Sequence, residues 1–318
     1  MHDSAPGAAP GKKNGVAVII GRPSSGKSTF LNAAAKRLIS IVSPTPQTTR
    51  NAVRGIVNTP GGQLVFIDTP GYHSSAKKMN LRLASLARSA LDGADALLYL
   101  IDASREPGEE EALTAALAAL HAGKLVVAAT KTDLVAPPEL QGSAEALPAP
   151  LLRFVAAHIP SYDAARIIPL SAERRVNIGA VLGALFALIP ADAEHADQLY
   201  PEDCYTDQQA DFRIAEIIRE QALRRLRDEI PHALYIEVAD MEMRQGGKTL
   251  WCRAFVCVER ESQKRMVIGK GASLIKAIRT ESLRELQDIF PYRVDLDLRV
   301  KVQKNWRQRD TMLSKLIW

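Results

Sequence analysis

The segment Gly21-Arg22-Pro23-Ser24-Ser25-Gly26-Lys27-Ser28, followed by Thr29, sets the architecture to expect of this chain. It fits the pattern G-x-x-x-x-G-K-[ST], in which glycines let backbone N–H groups close around phosphate oxygens. Lys27 would then reach the β and γ phosphates, and Ser28 would ligate Mg²⁺. The short apolar run Val16 to Ile20 ends at Gly21 as a buried strand should, and a helical stretch opens at Ser28. That order places a phosphate on a helix N-terminus.

Three later segments follow in a fixed order. Asp68-Thr69-Pro70-Gly71 comes directly after the apolar run Leu64 to Ile67, which suits an acidic residue holding Mg²⁺ through water and a Gly71 N–H meeting the γ phosphate. In Thr130-Lys131-Thr132-Asp133, the carboxylate of Asp133 can accept two hydrogen bonds from the N1–H and N2–H₂ edge of guanine. Adenine offers no such pair of donors. Lys131 would lie over the purine, and Ser171-Ala172-Glu173 would bring the Ala172 N–H to guanine O6. Thr130 stands where N-K-x-D has asparagine, so guanine preference is expected to survive with weaker affinity. Between the first two segments lies Pro46-Gln47-Thr48-Thr49-Arg50. A nucleotide switch needs one threonine here to complete the metal shell and sense the γ phosphate; Thr49 is favoured, with Thr48 as the alternative.

At 318 residues, two domains are expected. Strand-like runs at Val16 to Ile20, Leu64 to Asp68, Ala96 to Asp102, Leu125 to Thr130 and Ile167 to Leu170 alternate with helical stretches. This grammar is α/β, a doubly wound and mainly parallel sheet whose ligand sits at the carboxyl ends of the strands. The expected division is a tail over 1–14, a nucleotide-binding domain over 15–190, a polar linker over 191–207 and a smaller α+β domain over 208–318. The second domain opens with a helix whose face carries Phe212, Ala215, Ile218, Ala222 and Leu226, followed by strands near His232 to Arg244 and Thr249 to Arg260. Lys264 and Arg265 are expected to precede a short strand, Met266 to Ile268. From Val294 to Val302 apolar and charged residues alternate, as on a half-buried strand.

Net charge is +5, with the basic excess confined to the last quarter: from Arg244 onward there are 17 Lys and Arg against 8 Asp and Glu. That asymmetry points to a polyanion, most simply nucleic acid. No apolar run approaches the roughly 18 residues of a membrane helix, and no signal-peptide core precedes Val16. Cys204, Cys252 and Cys257 lack metal-ligand spacing and read as reduced cytoplasmic thiols.

Taken together, these motifs resemble those of the Era family of bacterial ribosome-assembly GTPases, from about Val16 to the C-terminus. The likeness includes Gln47-Thr48-Thr49-Arg50, Asp68-Thr69-Pro70-Gly71, Ser171-Ala172-Glu173, Tyr200-Pro201-Glu202-Asp203, and Val300-Lys301-Val302 followed by Trp306. The resemblance implies a GTP/GDP-binding G domain joined to a type II KH domain that binds the 3′ end of 16S ribosomal RNA in the 30S subunit. It further implies a cytoplasmic monomer with some peripheral membrane contact. In a KH domain a G-x-x-G turn lets a nucleic-acid backbone approach closely; here the turn is Gly269-Lys270-Gly271-Ala272, with Lys264, Arg265, Lys276 and Arg279 nearby.

Three residues qualify the hydrolytic expectation. Tyr72 stands where many switch GTPases carry a water-orienting glutamine, so slow turnover is expected. Ser24 replaces an asparagine that coordinates an activating K⁺ in related GTPases, which puts potassium stimulation in doubt. His73 reads as a solvated loop residue. The competing functions are an RNA chaperone that binds nucleotide with negligible hydrolysis and a membrane-associated cell-cycle GTPase.

Overall fold

The computed structural model describes residues 12–43, 48–71 and 90–316. The chain divides into two compact units, one of Met1–Ser40 with Thr49–Asp207, the other of Ile41–Thr48 with Gln208–Trp318.

The first unit holds a six-stranded sheet in the order β2-β3-β1-β4-β5-β6. Its strands are β1 (Lys13–Ile20), β2 (Val53–Thr59), β3 (Gly62–Asp68), β4 (Ala96–Asp102), β5 (Leu125–Thr130) and β6 (Ile168–Pro169). All neighbours are parallel except β2 and β3. Strand β1 lies between β3 and β4, so the chain winds to both sides of it. The crevice outside its carboxyl end is where such sheets hold ligands. Helices α1 (Lys27–Ala35), α2 (Glu109–Ala119) and α3 (Ala149–His158) lie between strands, and α4 (Ile178–Leu188) follows β6. β4 and β5 are buried along their whole length, as near-continuous apolar runs require in a sheet covered on both faces.

Strand β2 is absent from the sequence expectation. Arg54 and Asn58 interrupt its apolar pattern, and its pairing with β3 supplies the missing order. Along its outer side runs the segment 200–207. The N–H of Ile56 donates to Tyr205 O at 2.9 Å, Asn58 Nδ2 donates to Glu202 O at 2.8 Å, and Thr206 Oγ1 donates to Arg54 O at 2.8 Å.

The second unit has a three-stranded sheet, β7 (Tyr235–Arg244), β8 (Thr249–Val258) and β9 (Arg293–Val302), with β8 antiparallel to β7 and parallel to β9. Helices α5 (Ala210–Arg225), α6 (Glu261–Ile268), α7 (Ser273–Ile289) and α8 (Asp310–Leu316) complete it. Ile214, Ile218 and Ala222 of α5, Ile278 and Leu286 of α7, and Cys252, Ala254, Val256 and Leu296 of the sheet form its core. Trp306 is buried, donates Nε1–H to Ala233 O at 2.8 Å and packs edge-on to Tyr235.

Two expectations need correction. Met266 to Ile268 ends a helix, not a strand, so Lys264 and Arg265 lie on α6. A three-residue apolar run cannot separate the two periodicities; here Gln263 Oε1 accepts from the N–H groups of Glu259 and Arg260 and caps the helix start. The buried face of α5 is also broader than expected: Phe212 and Ala215 are only half-buried, while Arg213, Arg219, Glu220 and Gln221 are buried.

Candidate functional site

The loop after β1 is shaped by close approach. A Cβ on Gly21 would come within 2.7 Å of Leu100 O, and one on Gly71 within 2.6 Å of Pro23 N, so Gly71 packs directly against this loop. Gly26 has φ 95° and Ser24, which is exposed, has φ 62°. Arg22, Pro23 and Ser25 are buried, and Thr29 is half-buried on the first turn of α1. Lys27 Nζ donates to Gly21 O and Arg22 O, each at 2.9 Å. Burial lowers the pKa of Lys27 to about 8 despite the attraction of Asp68, so its ammonium gains from any anion delivered to the loop.

Three oxygens converge beside it. Ser28 Oγ donates to Asp68 Oδ2 at 2.7 Å and lies 3.0 Å from Thr49 Oγ1. Asp68 is fully buried, and burial raises its pKa against the opposing pull of Lys27. Two hydroxyls and a carboxylate form an all-oxygen set, which suits a hard divalent cation. Of the two candidate threonines, Thr49 reaches this cluster, while the carbonyl of Thr48 accepts from Arg219 Nη2 in the second unit. Thr69 turns inward, donating Oγ1–H to Ile19 O at 2.7 Å, and Pro70 is buried beside it. Pro46, Gln47, Tyr72 and His73 lie outside the described residues.

At the ends of β5 and β6 the base-side residues meet. Asp133 Oδ1 accepts from Ser171 Oγ at 2.5 Å, and Ser171 Oγ in turn accepts from the N–H of Arg174 at 3.1 Å. Ala172 is half-buried next to this pair, and Glu173 is exposed. Lys131 has φ 61° and places Nζ 2.8 Å from Asp102 Oδ2. Thr130 Oγ1 donates to Ser25 O at 2.7 Å. Its hydroxyl therefore ties the loop after β5 to the loop after β1.

In the second unit, Gly269 ends α6 with φ 74°, Gly271 has φ 60°, and Ala272 precedes α7 at φ 61°. A Cβ on Gly269 would sit 2.8 Å from Leu274 Cβ. Arg265, Lys270 and Lys276 are exposed around this turn and Lys264 is half-buried. Arg279 is otherwise engaged, donating Nε–H to Leu296 O at 2.6 Å and lying 3.7 Å from Asp295.

Residues 16–131 match the family model described as a 50S ribosome-binding GTPase, and residues 229–307 match that of the KH domain. The GTPase Era of Treponema denticola is 52% identical over 303 residues, covering 95% of this chain and 99% of its own. That of Treponema pallidum is 50% identical over 322 residues, covering 98% and 99%. The chain belongs to the GTPase Era family. Two solved Era structures superpose over 95% of this chain and 98% of theirs: an Aquifex aeolicus Era variant bound to GDP·AlF₄⁻, at TM-score 0.84 and 28% identity, and Era with MgGDPNP and nucleotides 1506–1542 of 16S ribosomal RNA, at 0.83 and 27%.

Within this Era fold, several participants carried no sequence signal. Asp102 is a single acid at a strand end, and Glu111 is one of three consecutive glutamates on α2. Arg219 and Glu220 lie outside the apolar face named on α5, yet both are buried.

Proposed function

We propose that this chain is a Mg²⁺-dependent GTPase whose KH domain binds the 3′ end of 16S ribosomal RNA during assembly of the 30S subunit in the cytoplasm, with nucleotide state as the switch. The observation that carries the nucleotide half is the meeting of Ser28, Thr49 and Asp68 beside Lys27. The RNA half rests on the glycine-bearing turn at Gly269 to Ala272, ringed by exposed cations, and on the family's structure with that RNA.

The residues divide the work. Ser28, Thr49 and Asp68 would hold the magnesium ion, which supplies charge neutralisation at the β and γ phosphates. Lys27 would bind the same phosphates with an ammonium already stripped of water. The Gly71 N–H would donate to the γ phosphate from its place against the loop at Pro23, so the 68–71 segment would sense whether that phosphate is present. Asp133, oriented by Ser171, would accept from the guanine edge, and charge-assisted bonds of this kind contribute about 1.5–3 kcal/mol each. Ser24 offers no amide to a monovalent cation, so equal rates in potassium and sodium are the expected result.

The test is single-turnover hydrolysis of GTP and ATP in Mg²⁺, with and without an RNA of the 16S 3′ end. GTP-selective cleavage accelerated by the RNA is expected. Equal use of ATP would overturn the role of Asp133, and GTP binding without cleavage under both conditions would leave an RNA-binding module in place of an enzyme.

A further inference from the structure

One buried carboxylate, outside every motif, joins the two halves of the nucleotide site. Asp102 ends β4 and is 2% exposed. Its Oδ2 accepts from Arg22 Nη2 at 2.8 Å and from Lys131 Nζ at 2.8 Å. Its Oδ1 accepts from the hydroxyl and N–H of Ser104, at 2.6 and 3.0 Å. The Arg22 guanidinium is paired on its other side with Glu111, itself 3% exposed, whose Oε2 accepts from the N–H of Gly108. Glu111, Arg22, Asp102 and Lys131 thus alternate in sign and sum to neutrality.

Arg22 is the second residue of the phosphate-side loop, and Lys131 is the side chain expected over the purine. A lysine stem carries several rotatable bonds, and holding it in one geometry costs rotamer entropy. Lys131 is fixed at both ends, by a left-handed backbone and by its tip on Asp102. If Asp102 lost its charge, Arg22 would keep Glu111, whereas Lys131 would lose the carboxylate that its Nζ contacts.

We propose that Asp102 is a positioning residue for nucleotide binding: its carboxylate, itself held by Arg22 of the phosphate-side loop, fixes the Lys131 side chain in place for the purine. The inference rests on the guanine-nucleotide reading of the site.

The test is a mutant cycle on the full chain, reading the affinity of fluorescent GDP in Mg²⁺ for wild type, D102N, K131M and D102N/K131M. Loss of a charge-assisted hydrogen bond predicts that each single variant binds about tenfold more weakly. The double variant is expected to match K131M alone, because the lysine tip is where Asp102 acts. Effects that multiply to about a hundredfold, or a D102N that binds like wild type, would overturn the proposal. Should D102N fail to fold, Ser104→Ala removes an exposed hydroxyl that orients the same carboxylate, and unchanged GDP affinity in that variant would overturn it equally. Wild-type protein that binds ADP as tightly as GDP would instead sink the guanine reading on which the inference stands.

Discussion

Arg219, buried on α5, donates to the backbone carbonyl of Thr48, the residue immediately before the candidate metal ligand Thr49. The same guanidinium is gripped by Glu216, with Nε 2.7 Å from Oε1. At the next residue of α5, Glu220 Oε1 accepts from the N–H of Val42 at 3.1 Å. Val42 and Thr48 are therefore held within the second unit by side chains of α5, although they precede Thr49 in the chain. Hydrogen bonds to charged groups contribute about 1.5–3 kcal/mol. Arg219→Gln is expected to raise amide hydrogen exchange in peptides spanning Ile41–Thr48 by about tenfold or more, with the β8 and β9 peptides unchanged. Unaltered exchange would show that the segment is held by other contacts.

Glu220 gives the second unit a pH dependence. Burial, reinforced by Glu285, pushes its carboxyl up to about 7, and Arg224 and the Val42 N–H only partly offset this. Between the ordinary glutamate range and 7 the folded chain keeps a proton that the unfolded chain has released. This group's contribution is therefore fully present at low pH and is lost as pH rises toward 7, with a slope of at most about 1.4 kcal/mol per unit. Urea denaturation at pH 5, 6, 7 and 8 is expected to show that slope in wild type and a flatter profile in Glu220→Gln, which is the more stable protein at pH 8.

Ala272 adopts the left-handed conformation that its position in the turn requires, φ 61° and ψ 23°. For an L-residue this conformation costs about 1–2 kcal/mol, part of which glycine would return through its freer unfolded state. Ala272→Gly is expected to stabilise the second unit by about 0.5–1 kcal/mol in chemical denaturation. A loss of stability would mean that the Ala272 methyl group makes a packing contribution larger than its backbone cost.

At Gly269 the reverse applies. Any side chain meets Leu274 and forces a residue without left-handed preference to φ 74°. Gly269→Asp also puts a negative charge among Arg265, Lys270 and Lys276, where a phosphate backbone would run. Binding of the 16S 3′-end RNA should weaken by at least about tenfold, since even one lost phosphate contact is felt at moderate salt. GDP affinity, measured on the same sample, should stay unchanged.

The placement of the glycine-bearing loop after β1, of the Asp68 and Asp133 segments at strand ends and of the alternating strands and helices was legible because each rests on local chemistry: a glycine where a backbone approaches, an acid after an apolar run. What escaped was set by tertiary pairing. β2 is half polar in sequence and exists because β3 lies beside it. Arg219 and Glu220 carry charges that normally mark a solvent face, and their backbone partners Thr48 and Val42 lie far from them along the chain. Asp102 belongs to no spacing rule, since its partners Arg22 and Lys131 lie far from it along the chain and come together only when β1, β4 and β5 align.

The segment 200–207, the last stretch of the first unit, has a further consequence. β2 is the outermost strand of its sheet, and an uncovered outer strand offers a ladder on which a second molecule can grow. By laying 200–207 along that rim the chain occupies the ladder itself, and a protease cut within this segment is expected to open the rim to self-association.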